Sequence, residues 1–235
     1  MIYDIIIPTT DKDLETLEKC INQCKKYLNF RRIIVISKNK YTESAEWFDE
    51  NNYPFNFESI KEIIGEHWRI GWYFQQLLKL YCFFVIPDLS DNVLILDSDT
   101  MILRKIEFFE DDLPLYNISN AHHKPYFRHM ALLLPVLKRI SKSGITHHMI
   151  FQRHIMLDLF NKVEEYHEDD FWKIFLSNVE LDQKSGASEY EIYFNFIQIF
   201  HQNKFKIRKL KWENTKNSDL NQDFDYISCH SYLRK

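Results

Sequence analysis

The first 40 residues alternate between strand and helix patterns, and this alternation restricts the fold more than any other feature of the chain. Ile5-Ile6-Ile7 is a short apolar run ended by Pro8, and Arg32 to Ser37 repeats the pattern. Between them, Asp11 to Leu28 has apolar residues at helical spacing: Leu14, Leu17, Ile21, Cys24 and Leu28. Two buried strands joined by a helix are parallel and linked by a right-handed crossover. The chain therefore begins as an α/β protein, in the manner of a nucleotide binder.

The same alternation continues along the chain. Trp68 to Val85 is predicted to be a helix that stops near Pro87, and Asn92 to Asp97 a third buried strand. Further strands are expected at Leu113 to Ile118, Ile145 to Phe151, Phe205 to Trp212 and Asp225 to His230, and further helices at Gln152 to Glu165, Phe171 to Asn178 and Ser188 to Gln202. A chain of 235 residues suits one continuous core. We expect a single domain, residues 1–235, with a mostly parallel central sheet flanked by helices.

Composition and charge exclude several classes of protein. Hydrophobic residues make up 45% of the chain, with only 4 Gly and 6 Pro, which is typical of a packed globular protein. A formal charge of −4 provides no basic excess for binding nucleic acid. No apolar run approaches the roughly 20 residues of a membrane helix, and the N-terminus lacks the pattern of a signal peptide. We therefore expect a cytoplasmic protein without a membrane span.

The cysteines show no spacing typical of a zinc site. Cys20 and Cys24 lie one turn apart on a predicted helix, while Cys82 and Cys229 stand alone. Reduced cysteines of this kind are usually buried in the core, so we assign none of them to a metal. The sequence leaves the oligomeric state open, a homodimer included.

The sharpest chemical signal is Asp97-Ser98-Asp99, directly after the apolar run Val93-Leu94-Ile95-Leu96. Two carboxylates at the end of a strand can share a Mg²⁺ or Mn²⁺ ion whose other ligands are phosphate oxygens and water. In open α/β sheets, ligands bind beyond the carboxyl ends of the parallel strands. Polar residues that follow the predicted strands should therefore converge there: Thr9, Thr10, Ser37, Asp97 and Asp99. The alternative is that these aspartates only cap a loop or helix.

A second candidate surface lies on the helix predicted from Trp68. Arg69, Trp72, Gln76 and Lys79 form one stripe of this helix, and a separate apolar stripe that includes Tyr73 faces the core. Arginine and lysine can pair with phosphates, glutamine with a base or a sugar hydroxyl, and tryptophan can stack. The alternative is an amphipathic face that is partly solvated.

Histidines and glutamates in the second half are candidates for acid–base chemistry. His147 and His148 are adjacent on a predicted strand, so their side chains should point to opposite faces. Glu189 and Glu191 fall in the first turn of a predicted helix, where carboxylates are stabilised by the helix dipole without any catalytic role. His230 is a lone histidine, and such a residue is more often structural than a metal ligand.

Taken in order, these segments resemble the GT-A glycosyltransferases, and in particular a bacterial and viral set marked by an R-x-G-W-Y-x-Q-Q-x-x-K-L segment. Here that segment runs from Arg69 through Gly71, Trp72, Tyr73, Gln75, Gln76 and Lys79 to Leu80. The likeness continues through Asp97-Ser98-Asp99, Gly144 to Phe151 and Ser188-Glu189-Tyr190-Glu191. It spans nearly the whole chain, although the N-terminal half lacks a glycine-rich phosphate turn.

The resemblance implies roles for individual residues. Asp97 and Asp99 would form the metal and diphosphate site, Pro8 to Thr10 would line the nucleotide pocket, and His230 would complete the metal shell. The residues predicted to bind the donor are Pro8, Thr9, Thr10, Arg69, Trp72, Tyr73, Gln76, Lys79, Asp97, Ser98 and Asp99. The candidate catalytic residues are His147, Glu189 and Glu191.

The function predicted from the sequence is transfer of a sugar from a nucleotide-diphosphate sugar, most simply a UDP-sugar, to a hydroxyl of a glycan or small molecule. The reaction would require Mn²⁺ or Mg²⁺. Residues 1–100 would bind the nucleotide sugar and residues 101–235 the acceptor. Two alternatives stay open: a nucleotidyltransferase that makes nucleotide sugars, and a catalytically inactive carbohydrate-binding subunit. The donor sugar, the acceptor and the stereochemistry do not follow from the sequence.

Overall fold

The computed structural model describes residues 1–230 and 233. Its helices are α1 (Leu14–Tyr27), α2 (Phe57–Ile64), α3 (Ile70–Val85), α4 (Lys124–Leu133), α5 (Arg153–His167), α6 (Phe171–Ser177) and α7 (Glu189–Phe200). Its strands are β1 (Asp4–Pro8), β2 (Ile33–Ser37), β3 (Glu46–Asp49), β4 (Asn92–Leu96), β5 (Thr100–Ile102), β6 (Phe109–Glu110), β7 (Leu113–Asn117), β8 (His148–Gln152), β9 (Lys206–Arg208), β10 (Trp212–Asn214) and β11 (Tyr226–Ser228).

The core of the fold is a five-stranded sheet in the order β3-β2-β1-β4-β8. The first four strands of this order are parallel, and β8 runs antiparallel to β4 at one edge. Strands β1, β2 and β4 are buried along their whole length, which explains their continuous apolar sequences. Because β8 is antiparallel, its first residue pairs with the last residue of β4, Leu96 with His148. The residues that precede β8 therefore lie beside those that follow β4.

A second, three-stranded sheet in the order β10-β11-β5 brings the two ends of the chain together. Strand β5 begins immediately after Asp99 and pairs antiparallel with β11, so that Thr100 lies opposite Ser228. The ladder continues one step further, where the Cys229 N–H donates to the Asp99 carbonyl over 2.8 Å. This pairing places His230 beside Asp99, which is 131 residues away in sequence and lies just after β4.

Helices α3 and α7 pack against each other and against the central sheet. Residues 189 to 198 of α7 are all buried, although the first turn of the helix contains two glutamates. The helix begins at Ser188, whose hydroxyl accepts a hydrogen bond from the Glu191 N–H over 3.4 Å. A helix with no exposed face lies inside the protein, and its polar residues must be paired there.

The fold class predicted from the sequence is confirmed: the protein is α/β with a mostly parallel central sheet flanked by helices. The sequence patterns did not predict β3, α2, β5 or α4. The strand expected from Ile145 begins only at His148, because His147 adopts a left-handed backbone conformation with φ of 62°. All four cysteines are buried. Within the described residues, none of the helices has the length and hydropathy that crossing a bilayer requires.

Candidate active site

A cleft of about 390 Å³ opens beyond the carboxyl ends of the parallel strands. Nine residues predicted from the sequence line it: Arg69, Trp72, Lys79, Asp97, Ser98, Asp99, His147, Glu189 and His230. The lining also contains seven residues to which the sequence analysis gave no role: Asp13, Gln75, Tyr126, Ile145, Ser185, Ser188 and Tyr190. The topology explains this convergence, since β4, the start of β8 and the end of β11 all meet at the same edge.

Asp97 lies at the centre of a buried hydrogen-bond network. Its Oδ1 atom accepts hydrogen bonds from the Lys79 Nζ at 2.5 Å and from the Tyr190 hydroxyl at 3.2 Å. Its Oδ2 atom lies 3.3 Å from the His147 Nδ1. Burial raises the pKa of this carboxyl, but the Lys79 ammonium and then His147 outweigh burial and lower the pKa well below its usual value. Asp97 is therefore ionised and held in one orientation.

Lys79 is a buried cation between two carboxylates. Only 3% of its side chain is exposed, and its Nζ lies 2.5 Å from Asp97 and 2.6 Å from Glu189. The ammonium also lies 4.7 Å from the centre of the Tyr190 ring. Burial lowers the pKa of Lys79, whereas the two carboxylates raise it by more, so the lysine stays charged. The sequence pattern predicted Lys79 as a phosphate ligand, whereas its protein partners here are these carboxylates.

Asp99 and His230 form a second pair beside the first. The His230 Nδ1 lies 3.0 Å from the Asp99 Oδ2, and the Ser228 hydroxyl donates to the Asp99 Oδ1 over 3.1 Å. Burial lowers the pKa of His230, but the hydrogen bond and charge of Asp99 raise it by more, so the net pKa lies above its usual value. The rings of His147 and His230 are 4.7 Å apart, which joins the two pairs into one cluster.

The remaining predicted residues do not line the cleft. Pro8 ends β1, Thr9 and Thr10 follow it at the same edge of the sheet, and Thr10 is exposed. Tyr73 is fully buried, and its hydroxyl accepts from the Gly186 N–H over 3.3 Å. The Gln76 Oε1 accepts from the Glu189 N–H over 2.9 Å, so this glutamine fixes the start of α7. His148 lies in the core between Phe108 and Tyr226, where burial lowers its pKa to about 3.

Glu191 lies behind the cleft and fastens the segment that leads to His147. The Ser143 hydroxyl donates to its Oε1, and the Asn195 amide donates to its Oε2 over 3.0 Å. The neighbouring Gly144 packs so closely on α7 that a Cβ atom there would lie 2.6 Å from the Phe194 Cβ. The contacts of Glu191 are those of a structural residue, with 1% of the residue exposed.

This environment predicts a pH dependence of stability. Burial raises the pKa of Glu191, with hydrogen bonds from Ser143 and Asn195 opposing that rise. A carboxyl whose pKa is raised by folding stabilises the fold below its unfolded pKa and loses that contribution as the pH rises through the folded pKa. Glu191→Gln, which has no titrating proton, should therefore gain stability relative to the wild type as the pH rises from about 4.5, the usual pKa of this carboxyl, towards neutral and above. Urea unfolding of both proteins across this range measures the difference, and a constant difference would contradict the assignment.

The donor set at the tip of β4 fits a divalent cation by its chemistry. Two carboxylates and an imidazole are ligands that Mn²⁺ accepts, and carboxylate oxygens suit Mg²⁺. Within residues 1–230 and 233, however, no three His, Cys, Asp or Glu side chains are arranged to hold an ion directly. The reason is visible in the contacts: His147, His230 and Lys79 occupy the carboxylate oxygens that a cation would use. Binding of an ion would therefore require these three side chains to give up their contacts with the Asp97 and Asp99 oxygens.

The solved structures that this chain is similar to include glycosyltransferases. The galactosyltransferase LgtC in complex with donor and acceptor sugar analogues, and an active-site mutant of LgtC, each match with a TM-score of 0.50 and 12% identity over 96% of this chain and 86% of theirs. Mouse xyloside xylosyltransferase 1 in its apo form matches with a TM-score of 0.48 and 9% identity over 97% of both chains. At this identity the LgtC likeness shows the fold, which is of the GT-A type.

Residues 3–228 match DUF6492, a family of unknown function, and the chain belongs to that family. No curated protein has a recognisably similar sequence.

Proposed function

We propose that this protein is a metal-dependent glycosyltransferase that takes its sugar from a nucleotide-diphosphate sugar, most simply a UDP-sugar. One observation carries the proposal: Asp97, Asp99 and His230 meet in a cleft at the carboxyl end of a parallel sheet, beside the buried cation Lys79. Ligands of open α/β sheets bind at this edge. The resemblance of the sequence to GT-A glycosyltransferases and the shared GT-A fold support the same function.

Asp97, Asp99 and His230 are the residues that would hold Mn²⁺ or Mg²⁺. Such an ion would act as a Lewis acid that stabilises a departing diphosphate, and it would lower the activation barrier by several kcal/mol. Lys79 keeps Asp97 ionised and fixed, and Tyr190 adds a second donor to the same oxygen. The protein thus keeps Asp97 in its ionised form before any ligand arrives.

The donor and the acceptor would be bound by residues from different elements. Within residues 1–100, we assign β1, β4 and Asp13 at the start of α1 to the nucleotide sugar. Residues 101–235 supply Tyr126, Ser185 and Glu189, and we assign them to the acceptor. In this half, residues 231, 232, 234 and 235 lie outside the described residues.

The site offers two candidates for a general base. Glu189 and His147 both line the cleft, whereas Glu191 does not. An inverting transfer needs a base at the acceptor hydroxyl, and a retaining transfer proceeds without one. Lys79 holds one oxygen of Glu189, so Glu189→Gln changes both the base and a buried ion pair.

The test is release of UDP from radiolabelled UDP-sugars in the presence of Mn²⁺, with and without EDTA. We expect slow release without an acceptor, complete dependence on the metal, and faster release with candidate glycans. Glu189→Gln should lower turnover by more than it weakens donor binding, because we assign its side chain to the acceptor rather than to the nucleotide. A panel of UDP- and GDP-sugars from which no nucleotide is released with metal would contradict the proposal.

A further inference from the structure

The cleft has a second end whose chemistry differs from that of the aspartates. Arg69 and Trp72 contribute to it from the start of α3, Tyr126 from the first turn of α4, and Ser185 from the segment before α7. This aromatic end, defined by Arg69, Trp72, Tyr126 and Ser185, contains no carboxylate. Its elements are separate from β1, where the nucleotide is assigned.

The guanidinium of Arg69 is held in a fixed position by its neighbours. Its central carbon lies 4.5 Å from the centre of the Trp68 ring and 5.2 Å from that of Trp72, within the range of cation–π contact. Its Nε donates to the Lys184 carbonyl over 3.1 Å. These contacts fix the plane of the group. An arginine oriented in this way needs little further ordering to bind a ligand.

Arg69 nevertheless lacks an anionic partner. Among the described residues, no Asp or Glu lies within ion-pair distance of it, and its two terminal amino groups donate to no protein acceptor. By contrast, Arg128, two residues after Tyr126, forms a bidentate ion pair with Glu180. Two parallel N–H donors match the geometry of a carboxylate or a phosphate. The Arg69 guanidinium is therefore oriented to bind an anion, and the described residues provide none.

The rings beside Arg69 suit a sugar. The centres of the Trp72 and Tyr126 rings are 6.2 Å apart with planes inclined by 31°, and both residues are partly exposed in the cleft. Large aromatic rings offer an apolar face at low entropic cost, and polar groups at the edge fix a ligand's orientation. The His123 imidazole, 2.7 Å from the Ser185 carbonyl, ties α4 to the segment before α7 and so holds the two sides of this end together.

We propose that the aromatic end is an acceptor subsite for an acidic sugar, with Trp72 and Tyr126 against the ring and Arg69 on its carboxylate or phosphate. This inference rests on the proposed function, because it takes the aspartate end as the donor site. The anion that Arg69 binds has two sources, the diphosphate of the donor and the acid group of the acceptor. Arg69 precedes Lys79, the partner of Asp97, by ten residues, which is roughly 15 Å along α3, and this distance favours the acceptor.

The experiment compares acidic sugars with their neutral counterparts by calorimetry on the protein saturated with Mn²⁺ and UDP. The pairs are p-nitrophenyl β-D-glucuronide with the glucoside, p-nitrophenyl β-D-galacturonide with the galactoside, and glucose 6-phosphate with glucose. At least one acidic member should bind more tightly than its partner by about tenfold or more, the effect of a charged hydrogen bond. Arg69→Gln should remove this preference, and Arg128→Gln, the matched control, should keep it.

Binding of Mn²⁺ and UDP to the same variants separates the two sources of the anion. Arg69→Gln should leave the affinity for UDP within about twofold, whereas a tenfold loss would place the diphosphate on Arg69 and overturn the inference. Equal binding of every acidic and neutral pair to the wild type would also overturn it. If the preference depends on Arg69 but no UDP-sugar is turned over, the acidic-sugar site stands and the transferase proposal fails.

Discussion

Asp99→Asn is expected to abolish Mn²⁺-dependent binding of UDP and to lower transferase activity by more than about 100-fold, or ~3 kcal/mol. The reason is charge: asparagine keeps the size of the side chain but removes one of the two carboxylates that would hold the ion. The Asp99 oxygens face His230 and Ser228, both of which an amide can still contact, so the fold should persist. Titration calorimetry of UDP with and without Mn²⁺ measures the effect.

Asp223→Asn is the control for this substitution. Asp223 is an exposed aspartate that pairs with Arg104 and Lys211, none of which lines the cleft, and exposed pairs contribute little to stability. It should bind UDP and Mn²⁺ as the wild type does. Unchanged binding in Asp99→Asn, in a protein whose circular dichroism is native, would remove the metal site from the proposal.

Lys79→Met is expected to destabilise the fold by about 3–5 kcal/mol, the usual cost of removing one partner from a buried ion pair. Methionine fits a similar volume, but the buried Glu189 and the partly buried Asp97 would then be two carboxylates without their shared cation. The second substitution Glu189→Gln should recover part of the loss in the Lys79→Met background, because one of the uncompensated charges is gone. Urea unfolding of the single and double variants measures both effects.

Lys173→Met provides the matched control, since Lys173 also pairs with two carboxylates, Asp169 and Asp170, but at the surface of α6. Its substitution should leave the free energy of unfolding close to that of the wild type, because exposed ion pairs contribute little. A small loss in Lys79→Met, or a double variant no more stable than the single one, would show that Lys79 is not the counter-charge for these carboxylates.

The central sheet could be predicted from the sequence because its strands have a local signature. Strands β1, β2 and β4 are buried on both faces and are therefore apolar throughout, and each is followed by a polar turn. The position of Asp97 and Asp99 at the tip of β4 follows directly from this pattern. Strand β3 lies at the edge of the sheet and is partly exposed, so its sequence mixes polar and apolar residues. It therefore has no continuous apolar run from which its pairing with β2 could be predicted.

The cleft could be predicted only in part, because several of its residues depend on long-range pairing. Tyr126 lies in α4 and Ser185 in the segment before α7, and nothing in their local sequence indicates that they line a cleft. Glu189 and Glu191 look equivalent in the sequence, yet one faces the cleft and the other faces Ser143 and Asn195. The difference arises because Ser143, 48 residues earlier in the chain, packs against Glu191. The helical pattern of α7 cannot predict where that segment lies.

Helix α7, buried along residues 189 to 198, has a consequence for how the cleft can close around its ligands. An element enclosed on every side cannot shift without opening the core, so its amides should be among the slowest in the protein to exchange with deuterium. Glu189 and Tyr190, in the first turn of this helix, thus belong to a part of the cleft lining that should stay in place. Movement of the cleft lining should therefore be confined to residues outside α7, such as Ser185 before this helix and Tyr126 in the first turn of α4.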